Sequence, residues 1–195
     1  MIRNLPFWKN ASPKQKRIYS TTFVLVLSVL ATLLGMLVPM SQEDAQMIAD
    51  QLNQTVTQGT AEGTLIPDIF LNNFPLCLLM FIPLAGFGIG MFILFSTGMA
   101  FRAVFQVQAA NGIVGSTPSI DASTAILALA LVAVVFLLEY VSYAIAMTES
   151  VWLFRRILQK QWKGELKCLG ICIGIVALML IIGAVVETYA LSIGL

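Results

Sequence analysis

The sequence lacks histidine entirely, and charged residues make up only 11% of its 195 positions. Histidine is the commonest metal ligand and the commonest acid or base near neutral pH, so its absence disfavours sites that depend on either. Hydrophobic residues make up 58% of the chain, and the mean hydropathy is +0.89. This composition lies well outside the range of soluble domains and excludes a soluble fold.

Cysteine is also scarce, and the familiar catalytic patterns are missing. Cys77, Cys168 and Cys172 fall inside or at the edges of apolar runs, so they predict neither a disulfide framework nor a zinc site. The stretch GFGIG at Gly86–Gly90 follows no strand and is therefore not a dinucleotide-binding fingerprint. Phosphate-loop, metalloprotease and serine-elbow patterns do not occur. We therefore predict a protein that is not an enzyme, with no catalytic residue, metal, cofactor or nucleic-acid partner.

Long apolar runs are what the sequence has in abundance. A helix needs about 20 mainly apolar residues to cross a bilayer, and its backbone polar groups must be satisfied internally. The sequence predicts an all-α polytopic membrane protein, a single domain over residues 1–195, with five transmembrane helices. We place these spans at about 20–40, 67–84, 88–110, 122–147 and 167–190.

The distribution of positive charge decides the number of spans. Ten of the eleven basic residues form two clusters, and Arg102 stands alone. If the apolar region of about 69–101 crosses twice, both clusters share one side, as the positive-inside rule favours. We therefore expect a cell-membrane protein with a cytoplasmic N-terminus and an outer C-terminus. The clusters are Arg3, Lys9, Lys14, Lys16 and Arg17, and Arg155, Arg156, Lys160, Lys163 and Lys167.

The chain is predicted to reverse at Pro83–Gly90. Pro83 cannot donate a helical hydrogen bond, and Gly86, Gly88 and Gly90 permit the backbone conformations of a tight turn. This gives a Pro/Gly-broken helical hairpin between the second and third spans. The alternative is a single kinked helix, with four spans and the two basic clusters on opposite sides.

Two polar segments connect the spans. The first outer loop, 41–66, begins with Ser41, which can cap a helix, and Asp44 is favoured in the first turn. Apolar residues recur there at helical spacing, so we predict a short amphipathic helix at about 42–57. Residues 149–166 are predicted to form a basic cytoplasmic loop.

Glu139 is the most informative single residue. A carboxyl group inside a membrane helix usually faces the bundle interior or a wet cavity. Ser142, Ala146 and Ser150 share its helix face, and small residues of this kind let a neighbouring helix approach closely. We interpret Glu139 as a hydrogen-bonded residue that holds helices together, with proton or ion handling as the alternative.

Further polar and small residues complete the candidate set. We interpret Arg102 as extending towards the outer surface or as bonding to Asn72 and Asn73, with substrate binding as the alternative. The segments Gly86–Gly90 and Gly170–Gly174 each form a G-x-x-x-G pair. We expect both pairs to pack within the bundle rather than in a dedicated dimer contact.

Two stretches resemble the stage II sporulation protein M family of integral membrane proteins. IFLNNFPLCLLMFIPLAGFGIGMFILFSTG, at Ile69–Gly98, is similar to that family's Asn-containing helix, Gly-rich reversal and second helix. LLEYVSYAIAMTES, at Leu137–Ser150, is similar to its later glutamate-containing helix. On this match the family's recurrent positions correspond to Asn73, Gly86, Gly90 and Glu139.

The resemblance covers most of residues 21–194. Members in endospore formers act with cell-wall hydrolases during engulfment, but many relatives occur in organisms without spores, so the resemblance implies a membrane scaffold rather than a sporulation role. We expect a non-enzymatic integral membrane scaffold or accessory subunit, in contact with the lipid bilayer and with other membrane proteins or copies of itself. A small transporter or channel component that uses Glu139 is the alternative.

Overall fold

The computed structural model describes residues 10–111 and 122–192, except the side chains of 122–125. Within these residues the secondary structure is entirely helical, with six α-helices and one short 3-10 helix. The predicted outer connection before the fourth span, residues 112–121, lies outside the described part. The elements are α1 (Pro13–Met36), α2 (Gln42–Glu62), α3 (Leu65–Leu79), α4 (Ala85–Ala110), α5 (Ala122–Leu158), the 3-10 helix Trp162–Glu165, and α6 (Leu166–Ser192).

Among the described residues, four helical stretches are long and apolar enough to cross a membrane: α1, α4, most of α5, and the continuous stretch Trp162–Ser192. The predicted class, an all-helical multi-pass membrane protein, is therefore confirmed. Helix α3 is also apolar but has only 15 residues. At 1.5 Å per residue it is about 22 Å long, shorter than the hydrocarbon core of about 30 Å.

Helix α2 begins where the sequence predicts. Ser41 caps it, because the Ser41 Oγ accepts a hydrogen bond from the Asp44 N–H at 3.1 Å. The helix runs beyond the predicted end at Thr57 and continues to Glu62. Gly63 then adopts a left-handed conformation, with φ at 68°, and ends it.

The break between α3 and α4 lies earlier than predicted. The link is Met80–Leu84 and includes Pro83, while α4 begins at Ala85. The prediction that Gly86, Gly88 and Gly90 form the turn is therefore wrong, since all three lie in the first turns of α4. The residue of the link with a left-handed backbone is Leu84, with φ at 66°.

Helix α5 continues past the predicted end of its span. It is helical without interruption to Leu158, and the 3-10 helix follows after only three residues. Most of the segment 149–166, predicted as a loop, is therefore helical. Arg155 and Arg156 lie in the last turn of α5, where the helix dipole favours positive charge.

Contacts along α5 show the direction of α3. Asn73 of α3 bonds to Glu139, and Cys77, one turn later, lies against the Ser142 carbonyl. Ile82, in the link, contacts Ser150. Residue numbers therefore rise in the same direction along α3 and α5.

Contacts along α4 run the other way. Gly90, near the start of α4, packs against Met147 in the second half of α5, because a Cβ at Gly90 would collide with the Met147 side chain. Further along α4, the Leu94 carbonyl accepts a hydrogen bond from Thr32 Oγ1 of α1, and the same Thr32 oxygen is hydrogen-bonded to the Tyr140 hydroxyl of α5. Helix α4 is therefore antiparallel to α5. It runs parallel to α1, because Thr32 bonds to the Leu94 carbonyl, while Met40, just beyond the end of α1, accepts a hydrogen bond from Gln106, three turns further along α4.

The core lies along one face of α5. Ser142, Ala146 and Ser150 are completely buried there, and the close approach predicted for this face is confirmed. Ser150 Oγ donates a hydrogen bond to the Ile82 carbonyl at 2.6 Å. The Ile82 carbonyl lies in the irregular α3–α4 link and therefore lacks the partner that a regular helix would provide. The Ser150 hydroxyl supplies that partner.

Candidate functional site

A first polar cluster, the central cluster, is formed by Thr32, Asn73, Glu139, Tyr140 and Tyr143. Glu139 Oε1 accepts a hydrogen bond from Asn73 Nδ2 at 2.9 Å, and Tyr143 donates to Asn73 Oδ1 at 3.0 Å. One amide thus links α3 to two successive turns of α5. The contact agrees with the interpretation of Glu139 as a residue that holds helices together.

The second half of the central cluster links α1, α4 and α5. The Tyr140 hydroxyl lies 2.7 Å from Thr32 Oγ1, which donates to the Leu94 carbonyl at 3.1 Å. Phe136 stacks on the Tyr140 ring with centroids 3.8 Å apart. Thr32 and both tyrosines were not predicted from the sequence as site residues. In the sequence, each of them is marked only as a polar group within an apolar run. This signal is weak, because hydroxyl groups in membrane helices often form hydrogen bonds with the backbone of their own helix.

A second carboxyl group approaches the central cluster. Glu187 of α6 is close enough to Glu139 to interact with it electrostatically, and both residues are half-buried. Neither forms an ion pair with any residue in the described ranges. Carboxyl groups inside a membrane bundle without a paired cation can take up a proton or a bound cation, which is chemistry available to a transporter.

Other predicted site residues lie apart from this cluster. Arg102 and Asn72 are exposed, and neither forms a hydrogen bond or ion pair with another described residue, so the expected bond between them is not formed there. Ser142 Oγ donates to the Leu138 carbonyl of its own helix at 2.7 Å. Of the predicted polar set, only Asn73 and Glu139 come together.

The second cluster, the end cluster, lies where the start of α1 meets the end of α5 and the start of α6. Arg17 Nη1 donates to the two carboxylate oxygens of Glu149, at 2.9 and 2.8 Å, and Nη2 pairs with Glu165. Glu165 also lies 2.9 Å from Nε of Arg156. The Arg17 guanidinium stands 5.3 Å from the Trp152 ring centroid, a cation–π distance.

Two cysteines border the end cluster. Arg17 donates a hydrogen bond to the Cys168 Sγ. Ligand atoms of Cys168, Cys172 and Glu149 lie within 4.8 Å of one another. Because the Arg17 cation already bonds to both Glu149 oxygens and to one sulfur, the arrangement favours a structural ion pair over a metal site.

A cavity of about 400 Å³ opens beside the end cluster, between α1, α5 and α6. Its wall is mainly apolar, and Arg17 and Glu149 lie at one end. The cavity extends from that end towards the middle of the bundle. The apolar lining includes Ile18, Leu25, Val141, Ile145 and Ile175.

The two G-x-x-x-G pairs differ in their surroundings. Gly86 and Gly90 pack inside, since a Cβ at Gly86 would collide with the Met80 carbonyl oxygen. Gly170 and Gly174 are exposed, and no described atom lies within 4 Å of a Cβ built on either. The expectation that both pairs pack within the bundle is therefore wrong for α6.

No protein-family model, curated protein or solved structure matches the chain, so the role of these features is argued from their geometry. The geometry itself offers two half-buried carboxyl groups, an ion-pair network at one end, and an outward pair of glycines on α6.

Proposed function

We propose that the chain is a five-span integral membrane scaffold or accessory subunit without enzymatic activity, similar to the stage II sporulation protein M family. The observation that carries this proposal is the outward face of Gly170 and Gly174 on α6. In lipid, helix association depends on close packing, and small residues permit the closest approach. Because no described residue covers this face, it is open to a helix of another membrane protein or of a second copy.

The helix directions support five crossings. Helices α1 and α4 are both long enough to span, and their contacts make them parallel, so the chain must return between them. Helix α3 with the link Met80–Leu84 provides that return. Irregular backbone is tolerated at membrane depth where protein covers it, and Ser150 bonds to this link.

The charge distribution supports the orientation. Arg17 of the first basic cluster and Arg156 of the second both pair with Glu165, so the two clusters meet at one end of the bundle. The positive-inside rule assigns that end to the cytoplasm. Helix α2 and the C-terminal end of α6 then lie on the outer side of the cell membrane.

Bulky substitutions on α6 test the scaffold. Gly170→Leu combined with Gly174→Leu should abolish chemical cross-linking to the membrane proteins, or the second copy, that are captured by the wild-type chain. The chain itself should keep its thermal stability, since both positions have open space. Gly88→Leu is the matched control, because Gly88 is also exposed with no described atom near its Cβ. Unchanged cross-linking in the double variant would contradict the proposal.

A second candidate function is supported by the carboxyl groups of Glu139 and Glu187. Two carboxyl groups inside the bundle, near enough to interact electrostatically and without a described cation, are typical of proton or cation pathways. If the chain is a transporter, reconstituted vesicles should take up protons or a monovalent cation, and Glu139→Gln should abolish that flux. Flux that is absent from wild-type vesicles, with partner cross-linking intact, would leave scaffolding as the function.

A further inference from the structure

The cavity between α1, α5 and α6 combines an apolar wall with surplus positive charge at its mouth. We propose that it binds one anionic phospholipid, with an acyl chain in the cavity and the phosphate at the basic end. This inference rests on the membrane orientation proposed above, which puts that end at the headgroup level of the cytoplasmic leaflet.

The shape and chemistry of the cavity suit an acyl chain. Ile18, Thr21 and Leu25 recur along one face of α1, and Ile145 and Ile175 oppose them. A volume of about 400 Å³ with this lining offers few hydrogen-bonding partners, so water is held poorly there. The opening between helices lets a lipid enter sideways from the bilayer.

The charges at the mouth suit a phosphate. The two described carboxylates at this end, Glu149 and Glu165, are already paired with arginines. Basic pockets between membrane helices on the cytoplasmic side bind anionic headgroups. The remaining described cations at this end have no hydrogen bond or ion pair from their side chains to another described residue: Lys14, Lys16, Arg155, Lys160, Lys163 and Lys167.

Lys14 is the cation best placed to hold the headgroup. It precedes Ile18 by four residues and Thr21 by seven, so it extends the cavity face of α1 by one turn towards the aqueous side. It is exposed. A phosphate at this position would sit above an acyl chain that lies along Ile18, Thr21 and Leu25.

Native mass spectrometry of the purified, delipidated full chain in detergent tests whether the cavity prefers a lipid with an anionic headgroup. With dioleoyl phosphatidylglycerol and dioleoyl phosphatidylcholine added at equal concentration, we expect one retained phosphatidylglycerol per chain and little phosphatidylcholine. Lys14→Gln should weaken phosphatidylglycerol binding about fivefold. Arg155→Gln removes a charge at the same end, but Arg155 lies on a face of α5 about 120° away from Glu149 and does not line the cavity, so binding should be unchanged.

Filling the cavity tests the site of the acyl chain. Thr21→Phe should abolish the phosphatidylglycerol adduct, whereas Val26→Phe, at an exposed α1 position outside the cavity lining, should retain it. Equal retention of both lipids, or an adduct that survives Thr21→Phe, would overturn the proposal. A dimer that Thr21→Phe dissociates would identify a second copy as the occupant instead. Because the measurement uses the isolated chain, a failed scaffold proposal leaves its outcome unaffected.

Discussion

At the scale of single residues, Arg17 joins the most groups. Its side chain bonds to Glu149 of α5, to Glu165 of the 3-10 helix and to Cys168 of α6. From the sequence, the positive-inside rule predicts that Arg17 lies on the same side of the membrane as the second basic cluster. Its partners could not be predicted, because Glu149 is 132 residues away and comes near only through the packing of α1 on α5.

Loss of the Arg17 cation should destabilise the bundle. Arg17→Gln leaves Glu149, with 9% of its side chain exposed, without its described counter-charge, and leaves Glu165, 17% exposed, with Arg156 alone. We expect a loss of about 2 kcal/mol, less than for a fully buried pair because water reaches the site. Unfolding in detergent measures it, with Lys16→Gln as the control expected within about 0.5 kcal/mol of wild type. Equal stability of the two variants would contradict this role.

Glu139 shows how far a single residue can be interpreted from sequence. A carboxyl group in an apolar run is costly in lipid, so its need for a partner could be predicted. Asn73 was a candidate on the same grounds, and the structure brings the two together. Glu187 was missed because it lies near the predicted end of the last span, where a charge requires no partner. Its depth relative to Glu139 depends on how α5 and α6 are aligned.

At the scale of helices, the contact between α1 and α4 depends on two glycines. A Cβ at Gly98 would collide with the Thr32 carbonyl oxygen, and one at Gly35 with the Phe95 carbonyl oxygen. Because these obstacles are backbone atoms, the helices must separate to admit a methyl group. Neither glycine could be distinguished from sequence, since the contact depends on which faces of α1 and α4 meet.

Alanine substitutions should separate a packed glycine from an open one. Gly98→Ala should destabilise the chain by about 1–3 kcal/mol through overpacking. Gly170→Ala, where no described atom lies within 4 Å, should be neutral or stabilise by up to about 1 kcal/mol through helix propensity. Thermal unfolding of both variants gives the comparison. A Gly98→Ala variant as stable as Gly170→Ala would show that α1 and α4 do not meet here.

The break between α3 and α4 could be located from sequence only approximately. A glycine can be required either because its backbone reaches conformations that other residues avoid or because a side chain would not fit at its position. The sequence pattern at Gly86–Gly90 does not distinguish these two reasons. The structure shows the second reason at Gly86 and Gly90. The left-handed residue of the link is Leu84, which no turn signal marks.

Leu84 should tolerate glycine better than a branched residue. A non-glycine residue at positive φ carries a cost of about 1–2 kcal/mol, so Leu84→Gly should be neutral or stabilise by about 1 kcal/mol. Leu84→Ile should lower stability, because β-branching makes that conformation worse. Paired melting curves of the two variants in detergent provide the measurement. A larger loss with glycine than with isoleucine would exclude a left-handed conformation at this position.

At the scale of the whole molecule, composition was sufficient to predict a helical multi-pass membrane protein, because 58% hydrophobic residues cannot be buried by a soluble domain of this size. The number of crossings depended on the short helix α3. Its 15 residues make it marginal by length alone, and only the parallel course of α1 and α4 requires a return path between them.

Cysteine labelling tests the five crossings. In a background with the three native cysteines replaced, five spans predict that an impermeant maleimide modifies Thr55→Cys in intact cells. It should modify Lys160→Cys only after the membrane is opened. Both positions are exposed in the structure. Modification of Lys160→Cys in intact cells would favour four crossings and refute the proposed orientation.

The length of α5 has a mechanical consequence. Its 37 residues extend about 55 Å, and even at a steep tilt of about 40° the helix is longer than the hydrocarbon core of about 30 Å. At least one end of α5 therefore extends beyond the hydrocarbon core, and the last turn, with Arg155 and Arg156, belongs to the same uninterrupted helix as Glu139. A protein that bound this end of α5 and rotated or shifted the helix would therefore move the half-buried carboxyl group of Glu139 as well.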